Sequence, residues 1–220
     1  MDNFIREVDE EYRRERLAQI WKRFGAAIVA LALLMVGGVG GWRYWQHREL
    51  ARQEAAGARF AEAVQLSTDG KGEESEAVLK SLVGDGPEGY RLISRFRLAG
   101  ELGKTGTGEE GAKAFDALAA DASLEAVLRD LAKLRAAAIR LDSDSEAATR
   151  ELEPIASPSN PMRHTARELL GLAALKRGDF EGASRWFDQI AQDRATPQNL
   201  RGRLEIYTAL AAGGPVQVTQ

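Results

Sequence analysis

The feature that most constrains the fold is an uncharged run of 19 residues from Phe24 to Trp42, FGAAIVALALLMVGGVGGW. As an α-helix with a rise of ~1.5 Å per residue it is about 28 Å long, close to the ~30 Å hydrocarbon core of a bilayer. Lys22 and Arg23 precede the run and Arg43 follows it. Aromatic residues, which favour membrane–water interfaces, stand at both ends: Trp21, Phe24, Trp42, Tyr44 and Trp45. The run therefore predicts a single transmembrane helix over residues 24–42.

Two other interpretations of the run are less favoured. A buried core helix does not need so long an uncharged stretch. A cleaved signal peptide usually has an apolar region of only ~7–15 residues and a small-x-small cleavage site. Here the preceding arm is rich in charges of both signs, and no clear cleavage site follows the run. An uncleaved signal anchor is the preferred interpretation.

The orientation of the predicted span follows from the lysines and arginines near its ends. Five lie within fifteen residues upstream, namely Arg13, Arg14, Arg16, Lys22 and Arg23, and three lie close downstream, namely Arg43, Arg48 and Arg52. An excess of cations favours the cytoplasmic side. We therefore expect the N-terminus in the cytoplasm and the C-terminal part outside it, which means the periplasm if this is a bacterial inner-membrane protein.

The arm before the span, residues 1–23, contains no proline or glycine and is predicted to be a charged cytoplasmic helix. It could be a docking arm or a solvated helix that only sets the topology. Within the span, one helical stripe consists of small residues: Ala26, Ala30, Gly37 and Gly41. The last two form a small-xxx-small pair, which allows another membrane helix to approach closely. Ordinary glycine use in a membrane helix is the alternative.

The chain after the span is predicted to be entirely helical. Residues 43–68 continue as a membrane-proximal helix, and residues 69–212 alternate helix-like stretches with breaks rich in Gly, Asp, Ser and Pro. Alanines recur at Ala77, Ala112, Ala148 and Ala183, at intervals of 35, 36 and 35. That period is typical of helical-hairpin repeats. The fold class is all-α, a transmembrane helix followed by a degenerate solenoid of such hairpins, with a disordered tail over residues 213–220.

The last repeat is the clearest, over Leu169–Gln192. Five of its residues match the tetratricopeptide pattern, namely Leu170, Gly171, Gly178, Ala183 and Phe187. We expect Gly171 and Ala183 to lie where two helices cross closely, Phe187 to fill the space between the helices and Gly178 to turn the chain. Because the concave side of a solenoid offers an extended groove, three residues of the first helix are predicted to face it: Glu168, Leu172 and Lys176.

The arm FIREVDEEYRRERLAQIWKRFG, the single span and the degenerate repeats together resemble one family, the tetratricopeptide-repeat-like inner-membrane proteins known as ancillary subunits of the Sec translocon. The resemblance covers most of the chain and is strongest from Phe4 to Trp45 and from Gly171 to Phe187. It implies a protein with its N-terminus in the cytoplasm and its repeats in the periplasm. It also implies association with the SecYEG channel and with a membrane-anchored periplasmic chaperone of the prolyl isomerase type.

Composition limits the chemistry. The absence of cysteine excludes disulfides, thiolate metal sites and cysteine nucleophiles. Both histidines, His47 and His164, are expected at solvent or interface positions. Gly103–Gly108 lacks the upstream glycine of a phosphate-binding loop. Three acidic residues, Asp142, Asp144 and Glu146, are expected to cap a helix and not to bind calcium. The formal charge of −3 favours no nucleic-acid partner, and we expect no cofactor and no metal.

The sequence thus leads to three functional hypotheses. The first is a membrane-anchored, protein-binding scaffold, an ancillary subunit of the SecYEG translocon that assists export or periplasmic folding together with the chaperone. The second is a repeat protein that coordinates envelope assembly or cell division. The third is an enzyme, which no arrangement of catalytic residues supports. The first is preferred because of the arm and the span.

Overall fold

The protein is described by a computed structural model covering residues 2–104 and 108–214, with side chains from residue 21 onward except at Ile28 and Ala32. Within these residues every regular element is a helix, which confirms the all-α prediction. The elements are α1 (Asp2–Thr68), α2 (Gly72–Asp85), α3 (Glu88–Leu102), α4 (Glu109–Ala119), α5 (Ala126–Arg140), α6 (Ser145–Leu152), a 3₁₀ turn (Glu153–Ala156), α7 (Arg163–Lys176), α8 (Phe180–Ala191) and α9 (Gln198–Gly213).

The chain divides into two compact units, residues 1–55 and residues 56–220. The first unit consists of the N-terminal part of α1. Its described apolar side chains are exposed, and they include Leu33, Leu34 and Val36. Among the described residues α1 is the one helix long and apolar enough to cross a membrane, and 6% of its most apolar window is buried. A core helix would show the opposite, because its apolar face would be covered.

The second unit begins at Ala56, inside the segment predicted as the membrane-proximal helix 43–68. Ala56 and Ala63 are buried, and the Ser75 hydroxyl of α2 donates a 2.8 Å hydrogen bond to the Ala63 carbonyl. Arg59 also pairs with Asp85 at 3.1 Å. The last turns of α1 therefore act as the first helix of the first hairpin, and α3/α4, α5/α6 and α7/α8 supply the next three.

A small buried residue stands at the fourth position of the second helix in each hairpin. These residues are Ser75 in α2, Ala112 in α4, Ala148 in α6 and Ala183 in α8, all with no exposed surface. The sequence assigned Ala77 to this set, but Ala77 is exposed and the assignment is wrong. A search for repeating alanines misses Ser75. Its small side chain nevertheless allows the same close approach of two helices, and its hydroxyl donates a hydrogen bond to a carbonyl of α1.

The core is a series of apolar clusters between successive helices, not one central core. One cluster joins α3, α4 and α5, a second joins α5, α6 and α7, and a third joins α7, α8 and α9. This is the nearest-neighbour packing of a solenoid, in which each hairpin buries its apolar face against the next. Helix α9 closes the series. The predicted disordered tail falls mostly on residues 215–220, which lie outside the described residues.

Candidate protein-binding groove

The second unit contains a concave groove flanked by α3 and α5, which are the first helices of successive hairpins. Its volume is about 740 Å³, and most of its lining is apolar. Helix α4 packs against both flanking helices through Phe115 and Leu118. We call this feature the α3/α5 groove; its uncharged lining residues are Phe60, Leu92, Ile93, Phe96, Gly100, Gly103, Phe115, Leu128, Leu131, Ala138 and Ile139.

The groove arises from helical stripes in the sequence. On α3, Leu92, Phe96 and Gly100 recur every four residues, and on α5 Leu128 and Leu131 begin a similar stripe. Residues three and four apart share one face of a helix, so each helix presents a continuous apolar strip. The ring of Phe96 also meets that of Phe115 at 6.2 Å between centroids, and so the groove has a fixed aromatic base.

The groove is open along its length. Ile93 is 43% exposed although it is a large apolar residue. A Cβ atom added at Gly100 would meet no atom within 4 Å, so this stretch of α3 faces free space. Apolar surface that is concave and accessible at once is typical of a site that receives a ligand or a partner.

One end of the groove carries a buried carboxylate, that of Glu101, whose side chain is 4% exposed. Its oxygen accepts a 2.7 Å hydrogen bond from the Ser67 hydroxyl. Arg97 lies 2.8 Å from the carboxylate and Lys104 lies 3.0 Å from it. Both cations also donate to Ser67 Oγ, at 2.8 and 3.0 Å. The four side chains form a closed network that joins the end of α1 to α3.

Opposing effects act on the pKa of Glu101. Burial alone raises it, but the hydrogen bonds from Ser67 and Lys104 and the charges of Arg97 and Lys104 together outweigh burial, so the pKa is lowered. Glu101 is thus held ionised. Its charge is already neutralised by the two cations that pair with it.

Arg135 differs from these residues. It lines the groove from α5 and is exposed. Among the described residues, no hydrogen bond or ion pair engages its guanidinium. The charged lining comprises three cations, Arg97, Lys104 and Arg135, and one anion, Glu101. The groove therefore carries a net positive charge with an available donor on one wall.

The three residues predicted to face a groove lie elsewhere, on α7. Glu168 is buried, and Arg203 of α9 donates two hydrogen bonds of 2.9 Å to it. Leu172 is partly buried against the cluster of α5, α6 and α7, and Lys176 pairs with Asp142. None of the three lines the α3/α5 groove. Sequence reasoning missed that groove because it relied on the clearest repeat, whereas the apolar stripes of α3 and α5 lie in the weakest ones.

The five residues predicted to define the last repeat lie on α7, on α8 and in the turn between them. Leu170, Ala183 and Phe187 are fully or almost fully buried. A Cβ at Gly171 would lie 2.3 Å from the Phe187 ring. Gly178 adopts a φ of +75°, which L side chains rarely adopt. In the same turn the Asp179 carboxylate accepts a 2.8 Å hydrogen bond from the Gly182 amide and caps α8.

The small residues of the predicted span are all exposed: Ala26, Ala30, Gly37 and Gly41. A Cβ at Gly37 or Gly41 would meet nothing within 4 Å. Close packing of this stripe would require a helix from another molecule, and it stays a prediction.

A second charged cluster surrounds Asp193, in the turn after α8. Arg163 donates a 2.7 Å hydrogen bond to its carboxylate and His164 Nε2 lies 2.9 Å from it. The hydrogen bond from Arg163, together with that from the Ala195 amide, lowers the pKa of Asp193. His164 is buried, so its assignment to solvent or an interface was wrong. A separation of 29 residues in sequence hides this contact, which joins the start of α7 to the end of α8.

Nothing in the described part of the chain assembles a metal site from three or more His, Asp or Glu residues. Of the three acidic residues expected to cap a helix, Asp144 directly precedes α6 and Glu146 lies in its first turn, whereas Asp142 pairs with Lys176. Asp144 accepts a 2.9 Å hydrogen bond from the Ala147 amide. Trp186 packs against the cluster of α5, α6 and α7.

Comparison with known proteins agrees with this architecture. The family model of the tetratricopeptide repeat-like domain matches residues 19–206. A protein of Escherichia coli named as an ancillary SecYEG translocon subunit is 24% identical over 190 residues, covering 86% of this chain and 90% of that protein. A protein of the same name from Haemophilus influenzae is 36% identical over 53 residues, 24% of this chain and 26% of that protein. No solved structure matches. The chain belongs to the tetratricopeptide repeat-like domain family.

Proposed function

We propose that this protein is a membrane-anchored scaffold that associates with the SecYEG translocon through its helical repeats. The observation that carries the proposal is the α3/α5 groove, an open apolar surface with an available cation on a repeat domain. The similarity over most of the chain to a relative named as an ancillary SecYEG subunit supports the choice of partner. The role is one of binding, and no covalent chemistry is needed for it.

The proposed topology follows from the flanking charges. Residues 1–23 lie in the cytoplasm, residues 24–42 cross the inner membrane once, residues 43–68 continue away from it and residues 69–212 form the periplasmic repeats. The cation excess before the span supports this orientation. A membrane-anchored periplasmic chaperone of the prolyl isomerase type is the proposed second partner. Because of the tether, the repeats stay at high local concentration beside any partner in the same membrane.

The proposal is tested by affinity purification of the full chain from mildly solubilised membranes, read by mass spectrometry. A matched control has residues 24–42 replaced by an unrelated apolar span, so that insertion is kept and specific membrane contacts are lost. Enrichment of the translocon subunits with the natural chain supports the proposal, and their loss in the control places part of the contact in the span. Recovery of division or peptidoglycan proteins in their place would contradict it.

A further inference from the structure

We infer that the α3/α5 groove binds one amphipathic helix of a partner protein, whose apolar face covers the groove and whose acidic side chain pairs with Arg135. The inference rests on the proposed protein-binding function and deepens it by assigning the surface and the chemistry of the bound segment. It depends on three properties of the groove: its length and openness, the nature of its walls, and its charge.

The groove has the length of a helix segment. From Leu92 to Lys104 its lining extends over thirteen residues of α3 and the following turn, or about 18 Å at the helical rise. Three turns of a partner helix match that distance. A drug-sized ligand usually has ~70–90% of its surface enclosed, whereas here Ile93 is 43% exposed and Gly100 faces open space. An open channel suits an element that keeps its other face in water.

The walls favour a helix over an extended segment. Leu92 and Phe96 on one side, and Leu128 and Leu131 on the other, offer no hydrogen-bonding group. The backbone groups of α3 and α5 are engaged within their own helices. An extended segment laid here would find no backbone partner on either wall for its amide and carbonyl groups. A helix pairs its own backbone and contributes an apolar face, the helix-in-groove mode of recognition.

The charge selects an acidic helix. Arg97 and Lys104 both pair with Glu101, at 2.8 and 3.0 Å, so the one carboxylate in the groove lining gives no net attraction for a basic segment. Arg135 has no partner among the described residues. A carboxylate on the edge of the bound helix would give Arg135 a charge-assisted hydrogen bond. A lysine or arginine at that place would be repelled.

The test uses the full chain in lipid nanodiscs and fluorescein-labelled peptides of 16 residues, read by anisotropy. The parent peptide carries leucines on one helical face and one glutamate beside them. Three controls have the same residues shuffled so that the leucines scatter, a proline at the centre, or glutamine in place of the glutamate. We expect the shuffled and proline peptides to bind at least ~10-fold more weakly, and the glutamine peptide about 5-fold more weakly, as for a partly exposed ion pair.

Two substitutions locate the binding. Gly100→Trp places a large side chain in the open groove and is expected to weaken parent binding at least ~10-fold. Its matched control is Gly202→Trp, because Gly202 of α9 also faces free space within a helix and lies outside the groove lining. Circular dichroism is used to check that both variants are folded. Arg135→Gln is expected to weaken the parent about 5-fold and to leave the glutamine peptide unchanged.

Each unfavourable result would overturn a stated part of the inference. If the proline peptide bound as tightly as the parent peptide, the bound segment would not be a helix. If Gly202→Trp weakened binding as much as Gly100→Trp, the binding site would not be the α3/α5 groove. An unchanged response to Arg135→Gln would reject the acidic contact, and no binding of the parent at about 1 mM would reject the inference as a whole. Recovery of the translocon with Gly100→Trp as bait would then leave the proposed function intact. Failure of the natural chain to recover it would reject that function whatever the peptides do.

Discussion

Substitution of Gly171 by alanine is expected to destabilise the repeat domain, although the same change stabilises most helices. An added Cβ would lie 2.3, 2.6 and 2.9 Å from three carbons of the Phe187 ring. Carbon atoms prefer about 3.5–4.0 Å, so the ring or α7 must shift by about 1.2 Å. The ring is fully buried and stacks on Tyr207 with 5.4 Å between centroids, and a shift would therefore reach α9.

The magnitude follows from two opposing contributions. Overpacking a well-packed core costs typically ~1–3 kcal/mol, and a rigid enclosed ring belongs at the upper end. Replacing glycine by alanine within a helix returns about 1 kcal/mol. The expected net loss is about 2 kcal/mol, which for a domain of this size lowers the melting temperature by about 4–8 °C. The assay is thermal unfolding of the full chain in detergent, followed by circular dichroism.

The matched control is Gly202→Ala on α9, where an added Cβ meets nothing within 4 Å. It is expected to raise the melting temperature by about 2–4 °C. Adding Phe187→Leu to Gly171→Ala removes the clash, so the double variant should lose less stability than the sum of the single losses. A melting temperature of Gly171→Ala at or above that of the natural chain would refute the reasoning.

Three further predictions concern charge, capping and topology. Because the pKa of Glu101 is lowered in the folded state, the ionised carboxylate stabilises the folded protein at pH values above the unfolded pKa of about 4.3. This stabilisation is lost as the pH falls through the folded-state pKa. The melting temperature of the natural chain should thus fall more steeply than that of Glu101→Gln as the pH drops below about 4.5; parallel curves would contradict this. Asp179→Ala removes the cap on the Gly182 amide and should cost ~1 kcal/mol in thermal unfolding, and no loss would reject a stabilising cap. Since the chain has no cysteine, Ser143→Cys should react with a membrane-impermeant maleimide in spheroplasts, whereas Asn3→Cys should react only after permeabilisation; the reverse pattern would invert the proposed topology.

Much of the candidate groove could in principle be predicted from local sequence. The apolar stripe of α3 is a local pattern, visible as Leu92, Phe96 and Gly100 at intervals of four. What the pattern does not show is which stripes remain uncovered. The stripe with Leu170 and Ala174 is just as apolar, yet both residues are buried between neighbouring helices. Exposure depends on how far apart α3 and α5 are held by α4, and this is a property of packing.

The sequence by itself determined the features with a local cause. The uncharged run 24–42 determined the apolar helix, because length and hydropathy decide whether a segment can cross a bilayer. Glycine and proline breaks determined the helical hairpins, because turn residues act on their own backbone. Only the tertiary structure decided that Ser75 and not Ala77 lies where α1 and α2 cross. It also decided that His164 is buried beside Asp193 and that Glu168 forms an ion pair with Arg203. These contacts join residues 12 to 35 positions apart. Such contacts depend on the relative placement of two helices, and a one-residue change in helix register redirects a side chain by about 100° around the helix axis.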